Sequence, residues 1–360
     1  MADIQKARKE INEIDKKMAE LFVKRMDAAN EVFLYKKENG LPVLDVAREQ
    51  ELVAKNSELV ENEVYKAYYI DFLKSVMDIS KKYQYRLQNG IKIAYSGVEG
   101  AFAHIASNKI FPEAEFVPYP DFKSAYDAVA EGECDSVVLP MENSFAGEVG
   151  NVMDIVFKGS LYINGIYNLA VSQNLLGVKG ADKKNIKTVV SHIQALNQCM
   201  GYIKENGFET VEAGNTAYAA KLISEENDKT KAAIASAETA DIYGLEILER
   251  NINKSNVNTT KFAVLSKVKL KSGNQNSVLM FTVSNNAGSL AKAINVIGKY
   301  GYNMTTLRSR PLKEHSWKYY FYVEIDGNTE TELGKVMINE LKECCDLLKV
   351  AGTFSENIKL

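Results

Sequence analysis

The chain has too little cysteine to be held by disulfides. Its four cysteines, Cys134, Cys199, Cys344 and Cys345, show no CxxC spacing, and the adjacent pair is poorly placed to bridge itself. Reduced thiols in a cytoplasmic protein are therefore expected. Histidine is scarcer still: His104, His192 and His315 lie far apart, which leaves no visible metal constellation. No apolar run approaches the roughly 20 residues of a membrane span. The start, MADIQKARKEINEID, is polar and charged, unlike a signal peptide. A net charge of −3 provides no global basic field for nucleic acid or anionic membrane. What remains is an ordinary soluble composition, 46% hydrophobic and 25% charged, long enough at 360 residues for two or three domains.

Proline is absent before Pro42 and between Pro42 and Pro112, so the first ninety residues have room for long helices. Alternating steps of four and three from Ile4 pass through Arg8, Ile11, Asp15, Met18, Phe22, Arg25, Ala29, Val32 and Lys36. This is a heptad seam with three cations and one carboxylate set into it. One such residue reads equally well as a snorkelling side chain at a helix edge. Three cations on a buried stripe need partners, and Asp15 can serve only one, which points to an anionic ligand in a helical bundle. A helix reaching Glu38 is about 50 Å long, whereas a ninety-residue domain is only about 25 Å across. Such a helix packs against a second copy. Arg8 and Arg25, about 25 Å apart along the axis, cannot reach one small ligand from the same chain. Further on, Asp45 and Glu49 share a helix face beside Arg48, with Asp45 alone also reading as a cap, and Ser80 and Gln84 stand one turn apart.

From Ile91 short apolar runs alternate with amphipathic segments, which predicts an α/β region with mainly parallel sheets. Lys267–Ser277 reads as a polar linker, and the tail from Val278 reads as a βαββαβ unit. Several α/β strands end in polar groups: Pro140–Ser144, Ser191 followed by a helix with Gln194 and Gln198, and Thr259-Thr260-Lys261. Each alone reads as a cap or turn. Together they lie where open α/β sheets bind ligands.

Residues 1–90 resemble the all-helical chorismate mutase domain, with Arg8, Arg25, Lys36, Asp45, Arg48, Glu49, Ser80 and Gln84 in the family's order and spacing. The resemblance implies that Arg25 and a partner chain's Arg8 bind the carboxylates of chorismate. It assigns Lys36 and Gln84 to the ether oxygen, and Asp45 and Glu49 to the ring hydroxyl and to orienting Lys36. Arg48 and Ser80 join the substrate-binding set. Such a rearrangement needs no nucleophile, only a folded substrate conformer and donors aimed at the oxygen that gains charge.

Residues 91–267 resemble prephenate dehydratase through YSGVEGAFAH, PMENS, SHIQALNQC and NTTKF. The fold implied is two α/β lobes, like a periplasmic binding protein, with substrate in the cleft. The resemblance makes Asn143, Ser191, Gln194 and Gln198 substrate contacts and Thr260 essential. His192 is a general-acid candidate by its chemistry, or a structural histidine at a strand end. The chain departs from the family pattern at Lys261, where the motif has arginine, at Ile193, and in GVEG.

Residues 278–355 resemble an ACT domain of the phenylalanine-sensing kind. Gly288, Ser289 and Leu290 match its loop, and Arg308, Ser309, Arg310 and Pro311 stand at its E-S-R-P motif, with Arg308 in place of the glutamate. A purely structural dimerisation module is the other reading of this unit. The whole implies a bifunctional enzyme acting on chorismate and prephenate, feedback-regulated by phenylalanine, at least dimeric, with no metal or organic cofactor. Arogenate dehydratase with a mutase domain is a rival, as is a non-catalytic cytoplasmic amino-acid sensor, which has no use for the mutase residues.

Overall fold

The computed structural model describes residues 4–253, 258–270, 275–312, 318–355 and 358–360. His315, the four residues just before the last dehydratase motif and residues 271–274 of the linker lie outside them. The chain forms two compact units, Met1–Gly90 and Ile91–Leu360.

The first unit is three helices: α1 (Ile4–Glu38), α2 (Val46–Ser57) and α3 (Glu63–Asn89). The proline-free run forms α1 to the predicted end at Glu38. Asp45 caps α2 by accepting from Arg48 N at 3.0 Å, and Asn62 caps α3. Phe33, Val43, Leu73, Val76 and Met77 form the small core. The heptad seam is not part of it. Ile4 is 59% exposed, Ile11 55%, Met18 43% and Phe22 41%, and Phe33 is the one described residue of α1 that is buried. The expectation that three cations sit on a buried stripe is thus corrected for the single chain. A helix about 50 Å long runs past the partners its own unit offers.

The second unit begins with five strands: β1 (Lys92–Ser96), β2 (Glu115–Tyr119), β3 (Ser136–Asn143), β4 (Gly147–Glu148) and β5 (Tyr162–Ala170). The chain then crosses to a second lobe of β6 (Asn174–Gly177), β7 (Thr188–Ser191), β8 (Glu209–Glu212), β9 (Lys231–Ala235) and β10 (Glu246–Glu249). It returns as β11 (Thr259–Ser266), which inserts between β5 and β3. Both sheets are mixed, not mainly parallel. β1 runs parallel to β2 and β3, while β11 is antiparallel to both its neighbours, and β6 is antiparallel to β9 and β10. The reason is the crossing. A strand returning from the other lobe enters at the cleft and must run away from it, against strands that end there.

The tail is β12 (Asn276–Thr282), helix Ser289–Lys299, β13 (Asn303–Pro311), β14 (Tyr319–Asp326), helix Glu332–Cys344 and β15 (Leu347–Phe354), then a short β16 (Ile358–Lys359) beside β5. The βαββαβ order is as predicted, although its last strand has 8 residues and is not short. Strand alternation divides its sheet between two cores. Leu279, Phe281, Val323 and Ile325 pack under the tail's own helices, whereas Val278, Met280, Tyr320 and Tyr322 join the core of the first lobe. The two sheets are continuous where β15 meets β5, at Gly352 opposite Ile163. A Cβ on Gly352 would lie 2.0 Å from the Ile163 carbonyl oxygen, so only glycine permits this approach.

Lys349 closes the same junction by donating to the carbonyls of Val156 and Gly159, and burial pulls its pKa from 10.5 down to about 8. Between those two values the unfolded chain binds more protons than the folded one, so this group makes stability rise with pH across that window. Urea midpoints at about pH 7 and about pH 9.5 should show the wild type gaining stability relative to Lys349→Met. An equal difference at both pH values would contradict the assignment.

Candidate active sites

In the helical unit the predicted residues make several separate contacts. Arg25 donates to the Ser80 hydroxyl and, at 3.3 Å, to the Val76 carbonyl; burial lowers its pKa. Gln84 and Ser80 are each 7% exposed. Gln84 donates to the Ala29 carbonyl at 2.7 Å, and Lys36 to the Val43 carbonyl at 2.7 Å. Two donors and a guanidinium are thus held by backbone and hydroxyl oxygens that an anionic ligand can replace. Glu49 pairs with Lys81 at 3.0 Å, a residue that no sequence motif marked; Asp78 and Glu49 raise the Lys81 pKa. Asp45 is engaged as a helix cap, and Arg48 is exposed and paired with Glu51 at 2.8 Å. Arg8 is exposed on α1. The single chain does not bring Arg8, Asp45 or Arg48 to the Arg25–Ser80 group.

In the two-lobed unit, three strands meet at the cleft: β3 ends at Asn143, β5 ends at Ala170, and β11 begins at Thr259. Asn143 pairs in register with Thr260, and Thr259 with Ala170. The Asn143 amide joins the strand ends. Its NH₂ donates to Thr260 Oγ1 at 2.9 Å and to Asn258 Oδ1 at 2.8 Å, and its oxygen accepts from the backbone N–H groups of Phe145 and Ala146 at 3.0 and 2.9 Å. Ser144 Oγ accepts from Thr259 N at 3.0 Å, so the turn after β3 is tied to β11 as well. The Asn143 and Ser144 side chains of PMENS therefore hold the return strand at the cleft edge. Because Thr260 Oγ1 accepts from Asn143, its own O–H is available to a ligand.

The network continues into the second lobe. Asn258 donates to Gln198 Oε1 at 2.9 Å, and Gln173, 2% exposed, donates to the same oxygen at 3.4 Å. Gln173 Oε1 is buried without a partner among the described residues. Gln194 lines a cavity of about 310 Å³ with Asn143, Glu148 and Arg310. A larger cavity of about 610 Å³ lies between Asp121, Tyr126, Asp154 and Tyr320, and of the predicted residues only Pro311 lines it. Ser191 behaves differently from the expectation. It is fully buried and donates to the Ile234 carbonyl at 2.6 Å, which staples β7 to β9. His192 caps helix Ile193–Gln198, its Nδ1 accepting from Gln194 N at 3.3 Å. His104 packs against Tyr95 and Phe116, accepts from Gly100 N at 3.2 Å, and burial lowers its pKa. Asn258 and Gln173 were not among the predicted residues; Asn258 opens the NTTKF motif, whereas nothing around Gln173 marked it.

The E-S-R-P equivalent splits across two faces of β13. Thr306, Arg308 and Arg310 are half-buried and alternate with exposed Leu307, Ser309 and Pro311. Arg308 pairs with Glu142, and Arg310 with Glu148 and, at 3.0 Å, with Asp154, whose carboxylate also accepts from Tyr320 at 2.7 Å. Gly288, Ser289 and Leu290 follow β12, whose Thr282 is opposite Tyr320, itself opposite Arg310. The strand end that leads to Gly288 therefore lies at the same end of the sheet as Arg310, two strand spacings or about 10 Å from it.

A family model described as chorismate mutase type II matches residues 7–85, and one described as prephenate dehydratase matches residues 93–270. The chain is 31% identical over 367 residues to a bifunctional chorismate mutase/prephenate dehydratase of Aquifex aeolicus, covering 98% of each protein. It is 33% identical over 276 residues to an arogenate dehydratase/prephenate dehydratase of Arabidopsis thaliana, covering 73% of this chain and 72% of that one. Among solved structures it resembles a prephenate dehydratase of Arthrobacter aurescens in complex with L-Phe, with a TM-score of 0.68 and 22% identity over 74% of this chain and 90% of that one.

Proposed function

The chain belongs to the bifunctional chorismate mutase/prephenate dehydratase family, and on that premise we propose how its residues divide the two reactions. It rearranges chorismate to prephenate and converts prephenate to phenylpyruvate, two steps of phenylalanine biosynthesis. The observation that carries the assignment of the second site is the 2.9 Å hydrogen bond from Asn143 to Thr260 at a strand end facing the cleft. In the second reaction the bond from the ring to its carboxylate breaks and CO₂ leaves. The electron pair moves into the ring and expels the ring hydroxyl, which takes up a proton and departs as water. Thr260, polarised by Asn143, donates a hydrogen bond to that departing oxygen. Gln194 and Gln198 contact the substrate from the second lobe, while the fully buried Ser191 acts by fixing the strand from which their helix starts.

In the first reaction Arg25, Lys36 and Gln84 exchange their present oxygen acceptors for chorismate, the last two at the ether oxygen where charge grows. Glu49, held by Lys81, lies beside the ring hydroxyl. The exposed seam of α1 pairs with a second copy, which brings that copy's Arg8 to the site. We read the tail as an ACT-type unit through which phenylalanine regulates the dehydratase. The L-Phe in complex with the Arthrobacter aurescens enzyme and the sheet end that Arg310 shares with the strand leading to Gly288 support this reading. A cytoplasmic location fits the four free cysteines. The Arabidopsis thaliana relative's name makes arogenate a second candidate substrate, and parallel assays separate the two.

Asn143→Asp tests the dehydratase site. It keeps the acceptor for Phe145 and Ala146 N–H but turns the Thr260 hydroxyl inward, so phenylpyruvate formation should fall by about 10²-fold or more with mutase turnover intact. Unchanged phenylpyruvate formation would contradict the assignment. For the mutase, Arg8→Ala and Gln84→Ala should each be inactive. After subunit exchange, roughly half the dimers are mixed and each has one intact site, so about a quarter of wild-type activity should return. No recovery despite verified exchange would place Arg8 outside a shared site.

A further inference from the structure

The face of the site strands turned away from the cleft carries its own side-chain cluster. Asn143 pairs with Thr260 and the preceding Glu142 with Lys261. Neighbouring strand residues point to opposite faces, so Glu142 and Lys261 lie behind the pair that faces substrate. There they meet the C-terminal sheet. Arg308 of β13 pairs with Glu142, and the Lys261 ammonium lies 3.9 Å from Glu142 and 3.5 Å from Glu324 of β14. The Tyr322 hydroxyl donates to Glu324 at 2.8 Å. Two cations and two carboxylates balance, with Glu324 8% exposed and the others between 23% and 30%.

The pairing of the two strands is interrupted next to this alignment, which the Ser144–Thr259 contacts of the following turn hold from the other side. The register shifts between Lys261 and Phe262, which is opposite Pro140, so Met141 bulges just inside the site. Beyond a bulge the last pairs are set by local contacts, and a one-residue slip would exchange the faces of Glu142 and Asn143. Two of the departures from the dehydratase and regulatory motifs, Lys261 and Arg308, converge on this one carboxylate.

We propose that Arg308, although it belongs to the C-terminal sheet, is a positioning residue of the dehydratase site: by holding Glu142 it keeps Asn143 opposite Thr260. The inference rests on the reading of Asn143 and Thr260 as the dehydratase pair. A misplacement of the order of 1 Å at such a site costs about 10²-fold in rate.

The test uses the full chain without phenylalanine. Arg308→Gln should lower the dehydratase kcat by about 10- to 10²-fold with little change in KM, and leave mutase turnover, an internal check on folding, at the wild-type value. Glu142→Gln should have the same effect, and the double variant should be no worse than either single one, because both remove one interaction. Arg308→Lys should restore part of the rate. A wild-type dehydratase kcat in Arg308→Gln, additive losses in the double variant, or a loss confined to thermal stability would each overturn the proposal. Asn143→Asp measured alongside separates the two failures. If it is fully active, the site assignment fails; if it is inactive while Arg308→Gln is unimpaired, only the positioning role fails.

Discussion

Strand Thr259–Ser266 enters the first lobe from the cleft end and lies between Tyr162–Ala170 and Ser136–Asn143. That insertion constrains the rest of the second unit. It fixes the two crossings between lobes, sets Thr260 against Asn143, and puts the polar ends of three strands at the mouth of the cleft. The side-chain amide of Asn143 then spans the ends, donating to Asn258 and Thr260 while accepting from the turn that follows it. Asn143, Asn258 and Thr260 are each half-buried or buried, where an unmade hydrogen bond costs about 1–3 kcal/mol, so the arrangement is held before substrate arrives. Preorganised donors of this kind suit a reaction whose difficulty is the departure of a hydroxyl.

The two halves of the chain solve different physical problems. The helical unit needs only to fold its substrate and face donors toward one oxygen, and it keeps Lys36, Gln84 and Arg25 on weakly competing acceptors. Its long first helix leaves an apolar seam uncovered, the surface to which the proposed pairing with a second copy is assigned. The two-lobed unit, by contrast, is closed on itself and on the tail. Met280, Tyr320 and Tyr322 are core residues of the first lobe as much as of the C-terminal sheet. A C-terminal sheet packed in this way bears directly on strand Ser136–Asn143, where Arg308 pairs with Glu142.

Much of this was legible in the sequence wherever a local rule applied. The absence of proline predicted helix α1 to Glu38, Asp45 capped its helix, and the βαββαβ order of the tail followed from its apolar periodicity. What escaped was whatever depends on a partner distant in sequence. Periodicity marks the α1 seam as apolar but does not say that its own unit leaves it exposed. Strand patterns cannot show that β11 returns antiparallel, because direction depends on which lobe the chain comes from. A serine at a strand end reads as a ligand contact, yet Ser191 is turned to the Ile234 carbonyl. Arg308 read as part of a regulatory motif; its target, Glu142, is 166 residues away.

The central claim is that one chain carries two independent sites and that the Thr260 hydroxyl serves only the second. It is tested most directly by feeding chorismate to Thr260→Val and following products with time. Valine keeps the shape of the threonine side chain and removes its hydroxyl. The account predicts that chorismate is consumed at the wild-type rate while prephenate accumulates in its place, with phenylpyruvate reduced by about 10²-fold or more. Phenylpyruvate appearing at the wild-type rate, or loss of chorismate consumption together with it, would contradict the account.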